Sequence, residues 1–233
     1  KPSIVDKQEW NNIKSKRKKG IFLAISATVF WGFSGNVTQY MFQISDVDAL
    51  TIVTLRFLIS GFILTSFALL SGYKNTFLEI FKNKDARKNI IIFAIFGMVG
   101  TQLTFFSAIE NSNAAVATLL QFLSPLFVIF YYIFRKKQLP SKIEVFATFL
   151  ALIGTFLIIT NGSTKGLSVS VTGLTWGILS ALAVTFYMIF AKKLFVWSSR
   201  VTVGLSMLLG GILLFMRLPN TQFLHYFADI RVL

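Results

Sequence analysis

One cation stands inside an apolar run. Arg56 follows Leu55 and precedes Phe57, Leu58 and Ile59. A guanidinium cannot face hydrocarbon without a partner or a route to water. As a functional group it would attract an anionic moiety such as a carboxylate. As a structural one it would reach the interface or pair with Asp46, Asp48 or Glu110. Other polar and amphipathic side chains interrupt apolar runs in the same way: Trp31 and Asn36, Gln102 between Thr101 and Thr104, Gln121 one turn before Pro125, and Tyr187. Trp31, Asn36, Arg56, Gln102, Gln121 and Tyr187 are therefore the candidates for binding a small molecule. The competing reading of the amides is hydrogen bonding between helices. Pro125 removes one intrahelical bond, which either kinks a helix for packing or opens a binding or hinge point.

Other chemistries find less support. Gly32-Phe33-Ser34-Gly35 matches the Gly-x-Ser-Gly pattern that seats a nucleophile in intramembrane serine proteases, but such a serine needs a base, and the single histidine, His225, lies far along the chain. The same glycines serve close helix packing. There is no cysteine, which excludes disulfides and thiolate ligands, and one histidine makes no metal site. No metal, no cofactor and no enzymatic reaction are expected. No carboxylate sits in the middle of an apolar run, so proton coupling through an intramembrane acid has no visible group.

These residues need elements that hold them in a low-dielectric interior. Of the 233 residues 55% are hydrophobic and 14% charged, too few charges for a water-soluble surface. Seven runs approach the roughly 20 residues that cross a bilayer: Gly20 to Phe42, Ala49 to Tyr73, Ile90 to Ile109, Ala114 to Phe134, Ile143 to Thr160, Val171 to Ala191 and Val201 to Met216. Helices are required, since open strands cannot span lipid. The fold class is thus an all-α polytopic membrane bundle of about seven spans. The run from Gly20 has no signal-peptide cleavage pattern and reads as a permanent helix.

Net charge is +14, a value that in a soluble domain would suggest nucleic acid. Placement decides otherwise. Nineteen of the 23 basic residues fall before the first run and after the second, fourth and sixth, and only Lys165, Arg217 and Arg231 lie opposite. That asymmetry predicts a cytoplasmic N-terminus in a multi-pass plasma-membrane protein, with the lipid bilayer and not nucleic acid as the partner of the basic loops. Phe77, Ile80 and Phe81 among lysines predict a short amphipathic helix on that face. Gly173, Gly177 and Ala181, four apart, give a small-residue face that permits a close helix neighbour or association with a second copy.

Leu55 to Leu64 lines up with Leu205 to Leu214, matching at Leu55, Leu58, Gly61 and Leu64, and Gly173 opens the sixth run about 150 residues after Gly20 opens the first. The offset fits a five-helix unit, whose odd count inverts the second copy in the membrane. The expected organisation is a basic segment over 1–19, a first repeat over 20–160 and the start of a second over 161–233, incomplete at seven of ten helices.

Phe30-Trp31-Gly32, Leu55-Arg56-Phe57, Ala114-Ala115-Val116-Ala117 running to Ser124-Pro125-Leu126, Gly154, and Gly173-Leu174 leading to Ser180-Ala181-Leu182-Ala183 and Phe186-Tyr187 together resemble the drug/metabolite transporter superfamily, in its ten-helix EamA-type form. The resemblance implies two inverted five-helix repeats and movement, often export, of small metabolites such as amino acids or drug-like compounds through a central cavity. One position departs: Gln138 stands where the family usually has a glutamate.

Overall fold

The computed structural model describes residues 4–137, 139–160 and 169–218. Gln138, Lys165, His225 and Arg231 lie outside the described residues. Among the described residues every regular element is helical: α1 Ile4–Ile44, α2 Ala49–Leu70, α3 Lys74–Lys82, α4 Lys84–Ile92, a π-helix Phe93–Val99, α5 Gly100–Glu110, α6 Ala114–Gln121, α7 Ser124–Lys136, α8 Lys142–Thr160, α9 Val171–Leu194 and α10 Ser199–Phe215.

Each of the seven apolar runs is helical. Five stretches are long and apolar enough to cross a membrane, namely Arg17–Ile44, Ala49–Leu70, Lys84–Glu110, Ala114–Lys136 and Val171–Leu194. α8 has 19 residues and α10 has 17. Polar residues fix several starts by accepting bonds from orphan backbone N–H groups. Asp48 takes Thr51 N at 2.9 Å, Asn113 takes Val116 N at 2.9 Å and Ser170 takes Gly173 N at 3.0 Å. At α8, Ser141 and Glu144 form a reciprocal capping box.

Three departures from the sequence reading have local causes. α1 runs back to Ile4, because Lys, Arg, Glu and Gln are good helix formers and hydropathy marks only the portion in lipid. The stretch expected to begin at Ile90 starts at Lys84, where Asn83 accepts from Asp85 N and Ala86 N. It then passes through the seven-residue π-helix before resuming as α5. The fourth run is two helices, with Phe122 and Leu123 in a turn between α6 and α7 and Pro125 in the first turn of α7. Pro is tolerated there because the first N–H groups of a helix lack partners anyway. The amphipathic helix is present as α3, with Phe77 and Ile80 buried and Phe81 exposed.

Contacts between helix ends sort the loops into two groups. At one end of the bundle the Arg200 guanidinium lies 5.9 Å over the Tyr73 ring, and Lys192 Nζ donates to Tyr132 Oη at 3.1 Å. These are the basic loops. At the other end Ala114 N donates to Gln39 Oε1 at 2.7 Å, and Ser170 Oγ donates to the Asn111 carbonyl at 2.6 Å.

The closest packing is between α2 and α10, and glycine permits it. A methyl group on Gly61 would lie 2.5 Å from the backbone nitrogen of Leu208, and one on Gly211 would lie 2.9 Å from the backbone nitrogen of Leu58. In the 150-residue offset Gly61 corresponds to Gly211 and Leu58 to Leu208, so the contact is reciprocal. As numbers rise along one helix they fall along the other, which makes the pair antiparallel. Phe57, Phe93, Phe106 and Ile109, each almost fully buried, form the core beside this seam. α9 docks on the π-helix and α5, where Tyr187 and Phe190 meet Phe93 with ring centroids at 5.0 and 6.4 Å.

Candidate functional site

Three of the six candidate residues meet at one cavity. It has a volume of about 200 Å³ and is walled by Trp31 and Ser34 from α1, Arg56 from α2, and Gln102, Phe105 and Phe106 from α5. Ala27, Phe30, Trp31 and Ser34 follow i, i+3, i+4, i+7 along α1, and Gln102, Phe105 and Phe106 follow i, i+3, i+4 along α5. These are the spacings that put side chains on one helical face. Gly35 lies where α1 meets α6: a methyl there would make an ordinary 3.8 Å contact with the Ala114 Cβ.

Arg56 donates through Nη1 to Ser34 Oγ at 2.6 Å, and its guanidinium carbon lies 4.8 Å from the Phe106 ring centroid. The ring face attracts the cation, and the serine oxygen takes one of the five donors a guanidinium carries. Trp31 meets Phe105 edge to face, with centroids 5.9 Å apart. The wall therefore combines one fixed positive charge, an amide and an indole with three phenylalanine rings. Such an arrangement can hold a small molecule with an anionic end and an apolar or aromatic body.

Ser34, which the Gly-x-Ser-Gly pattern suggested as a nucleophile, faces a guanidinium. Arginine is donor-only and does not take up a proton. The proposed base, His225, is outside the described residues.

The other three candidates lie elsewhere. Asn36 is exposed and donates to the Gly32 carbonyl of its own helix at 3.0 Å. Five residues past Trp31, it points about 140° away from it. Gln121 is buried at the end of α6 and donates through Nε2 to Ser180 Oγ of α9 at 2.7 Å. This is the interhelical bond that the competing reading of the amides described. Thr185 adds a second tie across the α6–α7 break, donating to the Ser124 carbonyl at 3.2 Å. Tyr187 packs on Phe93 and borders a cleft between α7 and α9.

Replacing Gln121 by Ala is expected to destabilise the solubilised chain by about 1 kcal/mol, the scale of interhelical hydrogen bonds in membranes. A double-mutant cycle with Ser180→Ala read by thermal melting checks it. A coupling energy of zero would mean the two side chains do not depend on each other.

Sequence reasoning missed Ser34 as the partner of Arg56 and did not single out Phe105 and Phe106. The signal for Phe105 and Phe106 was their spacing from Gln102. For Ser34 no local signal exists, since it lies 22 residues before Arg56 on a different helix.

A family model described as the EamA-like transporter family matches residues 18–160. The chain is 37% identical over 198 residues to an uncharacterized inner membrane transporter, YicL, of Salmonella typhimurium, an alignment covering 84% of this chain and 65% of that protein. It is 25% identical over 229 residues to an uncharacterized transporter, YxxF, of Bacillus subtilis, covering 96% and 68% respectively. The chain thus spans about two thirds of the length of these relatives. No solved structure matches it.

Proposed function

The chain belongs to the EamA-like transporter family, and from that premise we propose that it is a permease moving small metabolites, such as amino acids, by alternating access with the Arg56 cavity as its binding site. The observation that carries the proposal is a half-buried guanidinium within a membrane-spanning helix, on the wall of a cavity that also presents Gln102, Ser34 and Trp31. An intramembrane charge at a cavity wall is a recurrent mark of a substrate pathway. At about 200 Å³ the cavity is smaller than the roughly 300–1,000 Å³ of sites for drug-sized ligands. That favours a small metabolite over a larger drug-like compound.

Two further parts of this reading concern architecture. The first five-helix unit is residues 20–160, close to the 18–160 matched by the family model, and residues from 161 open a second, inverted unit. The reciprocal, antiparallel contact of Gly61 with Leu208 and of Gly211 with Leu58 supports it, because residue i on j together with j on i is the pattern of a two-fold relation. The basic end of the bundle faces the cytoplasm of the cell membrane, by the excess of Lys and Arg in its loops.

The test is transport in proteoliposomes with a panel of labelled amino acids and related small acids. Trp31→Ala and Gln102→Ala are each expected to lower uptake about tenfold, the effect of losing ~1.4 kcal/mol of binding. Asn36→Ala, on the outer face of α1, is expected to leave it unchanged. Normal uptake by both cavity variants would move the site elsewhere.

A further inference from the structure

A second feature lies between α7 and α9, away from the Arg56 cavity. Two adjoining clefts share the α7 wall, one facing α9 and the other lying mainly between α7 and α8. One, about 340 Å³, is bordered by Tyr132, Tyr187, Lys192 and Phe195, and the other, about 310 Å³, by Phe122, Pro125 and Leu126 of α7, with Thr148 of α8 on its far side. They share Val128 and Met188, so the groove is continuous. Apart from its polar mouth at Tyr132 and Lys192, the α7 and α9 sides of the groove are almost wholly apolar.

Its length is informative. From Phe122 to Tyr132 is ten residues, about 15 Å at 1.5 Å per residue, which is half the ~30 Å hydrocarbon layer. The groove therefore reaches from the basic end of the bundle to about the bilayer midplane, the depth of one leaflet. At its mouth the Lys192 ammonium lies 5.7 Å over the Tyr132 ring and donates to its hydroxyl. A lysine held across two helices at the end of an apolar groove differs from one free in solution: its position is set, and two of its three donors remain. Arg135 and Lys136 end α7 at the same level. Glu144 of α8 lines the second cleft, where its carboxylate accepts from the Ser141 N–H at 2.7 Å.

We propose that this groove binds an anionic phospholipid of the leaflet on the basic side, with one acyl chain lying along Val128 and Met188 and its phosphate on Lys192 and Tyr132. Apolar length, polar mouth and sign of charge all match that occupant. A zwitterionic lipid offers the same chains with a weaker claim on the lysine.

Native mass spectrometry of the full chain, released from detergent with phosphatidylglycerol or phosphatidylcholine of the same acyl chains, tests the proposal. Wild type is expected to retain phosphatidylglycerol in preference. Lys192→Gln should reduce that retention about fivefold, the factor equivalent to ~1 kcal/mol per lysine at a membrane surface, and leave phosphatidylcholine unchanged. Lys193→Gln should alter neither, since Lys193 lies over Phe190 on another face of α9. Val128→Trp, which fills the groove, should lower retention of both lipids. If Lys192→Gln is not recovered folded, Tyr132→Phe takes its place, with a reduced preference expected. Equal retention of both lipids by wild type would overturn the proposal, as would an unchanged preference in the Lys192 or Tyr132 variant. So would equal competition by glycerol phosphate, which has the headgroup chemistry without the chains.

Discussion

Placing a methyl group at Gly61 is expected to lower the melting temperature of the solubilised chain by roughly 5 °C, corresponding to about 1–3 kcal/mol of overpacking. The new carbon would lie 2.5 Å from the Leu208 backbone nitrogen and 2.8 Å from its Cα. Backbone cannot swing aside as a long side chain can, so α2 and α10 must separate along their whole contact. Gly211→Ala meets the Leu58 nitrogen at 2.9 Å and should cost somewhat less. The double variant should lose less than the sum, because helices already parted by one methyl have room for the second. Gly32→Ala provides the comparison. Nothing lies within 4 Å of a methyl at that position, and helix propensity favours alanine, so its melting temperature should hold or rise. An unchanged melting temperature for Gly61→Ala would mean that the α2–α10 seam is looser than described.

Arg56→Gln is expected to reduce transport of carboxylate-bearing metabolites by a factor of ten or more while the protein still inserts. The glutamine can keep a bond to Ser34 but brings no charge, and a charge-assisted hydrogen bond is about twice as strong as a neutral one. Arg56→Lys should recover part of the activity, because it keeps the charge and the attraction to the Phe106 ring yet lacks the fork that grips two oxygens at once. Initial uptake rates in proteoliposomes, measured beside thermal melts, separate the two roles open to this arginine. A variant that transports normally but melts early would assign the guanidinium to holding α1, α2 and α5 together.

Much of the fold was legible because the bilayer leaves few choices. Each long apolar run had to be a helix; where several begin, at the caps Asp48, Asn113 and Ser170, came from the structure. The internal offset was carried by only four matches, yet three of those positions, Leu58, Gly61 and Leu64, lie against α10. The candidate site was legible only in part. Arg56, Trp31 and Gln102 stood out as polar or amphipathic residues in apolar surroundings, and that signal cannot tell a cavity wall from a structural hydrogen bond. Gln121 shows the limit: it has the same character as Gln102 but is tied to Ser180, because its partner depends on how α9 lies against α6. The π-helix had no local signature, since Phe93–Val99 is apolar throughout.

That π-helix bears on how the sequence can change. In an α-helix, inserting or deleting one residue turns everything downstream by about 100° and moves it 1.5 Å along the axis. A π segment is a place where such a surplus residue has been absorbed without breaking the helix. Gln102, Phe105 and Phe106 lie just beyond it. A one-codon deletion within Phe93–Val99 would therefore return the stretch to α-helix while the face of α5 that meets Arg56 keeps its aim, whereas the same deletion within α5 would turn that face by about 100°. Among close relatives, this short stretch is then where a change of length leaves the cavity wall in place.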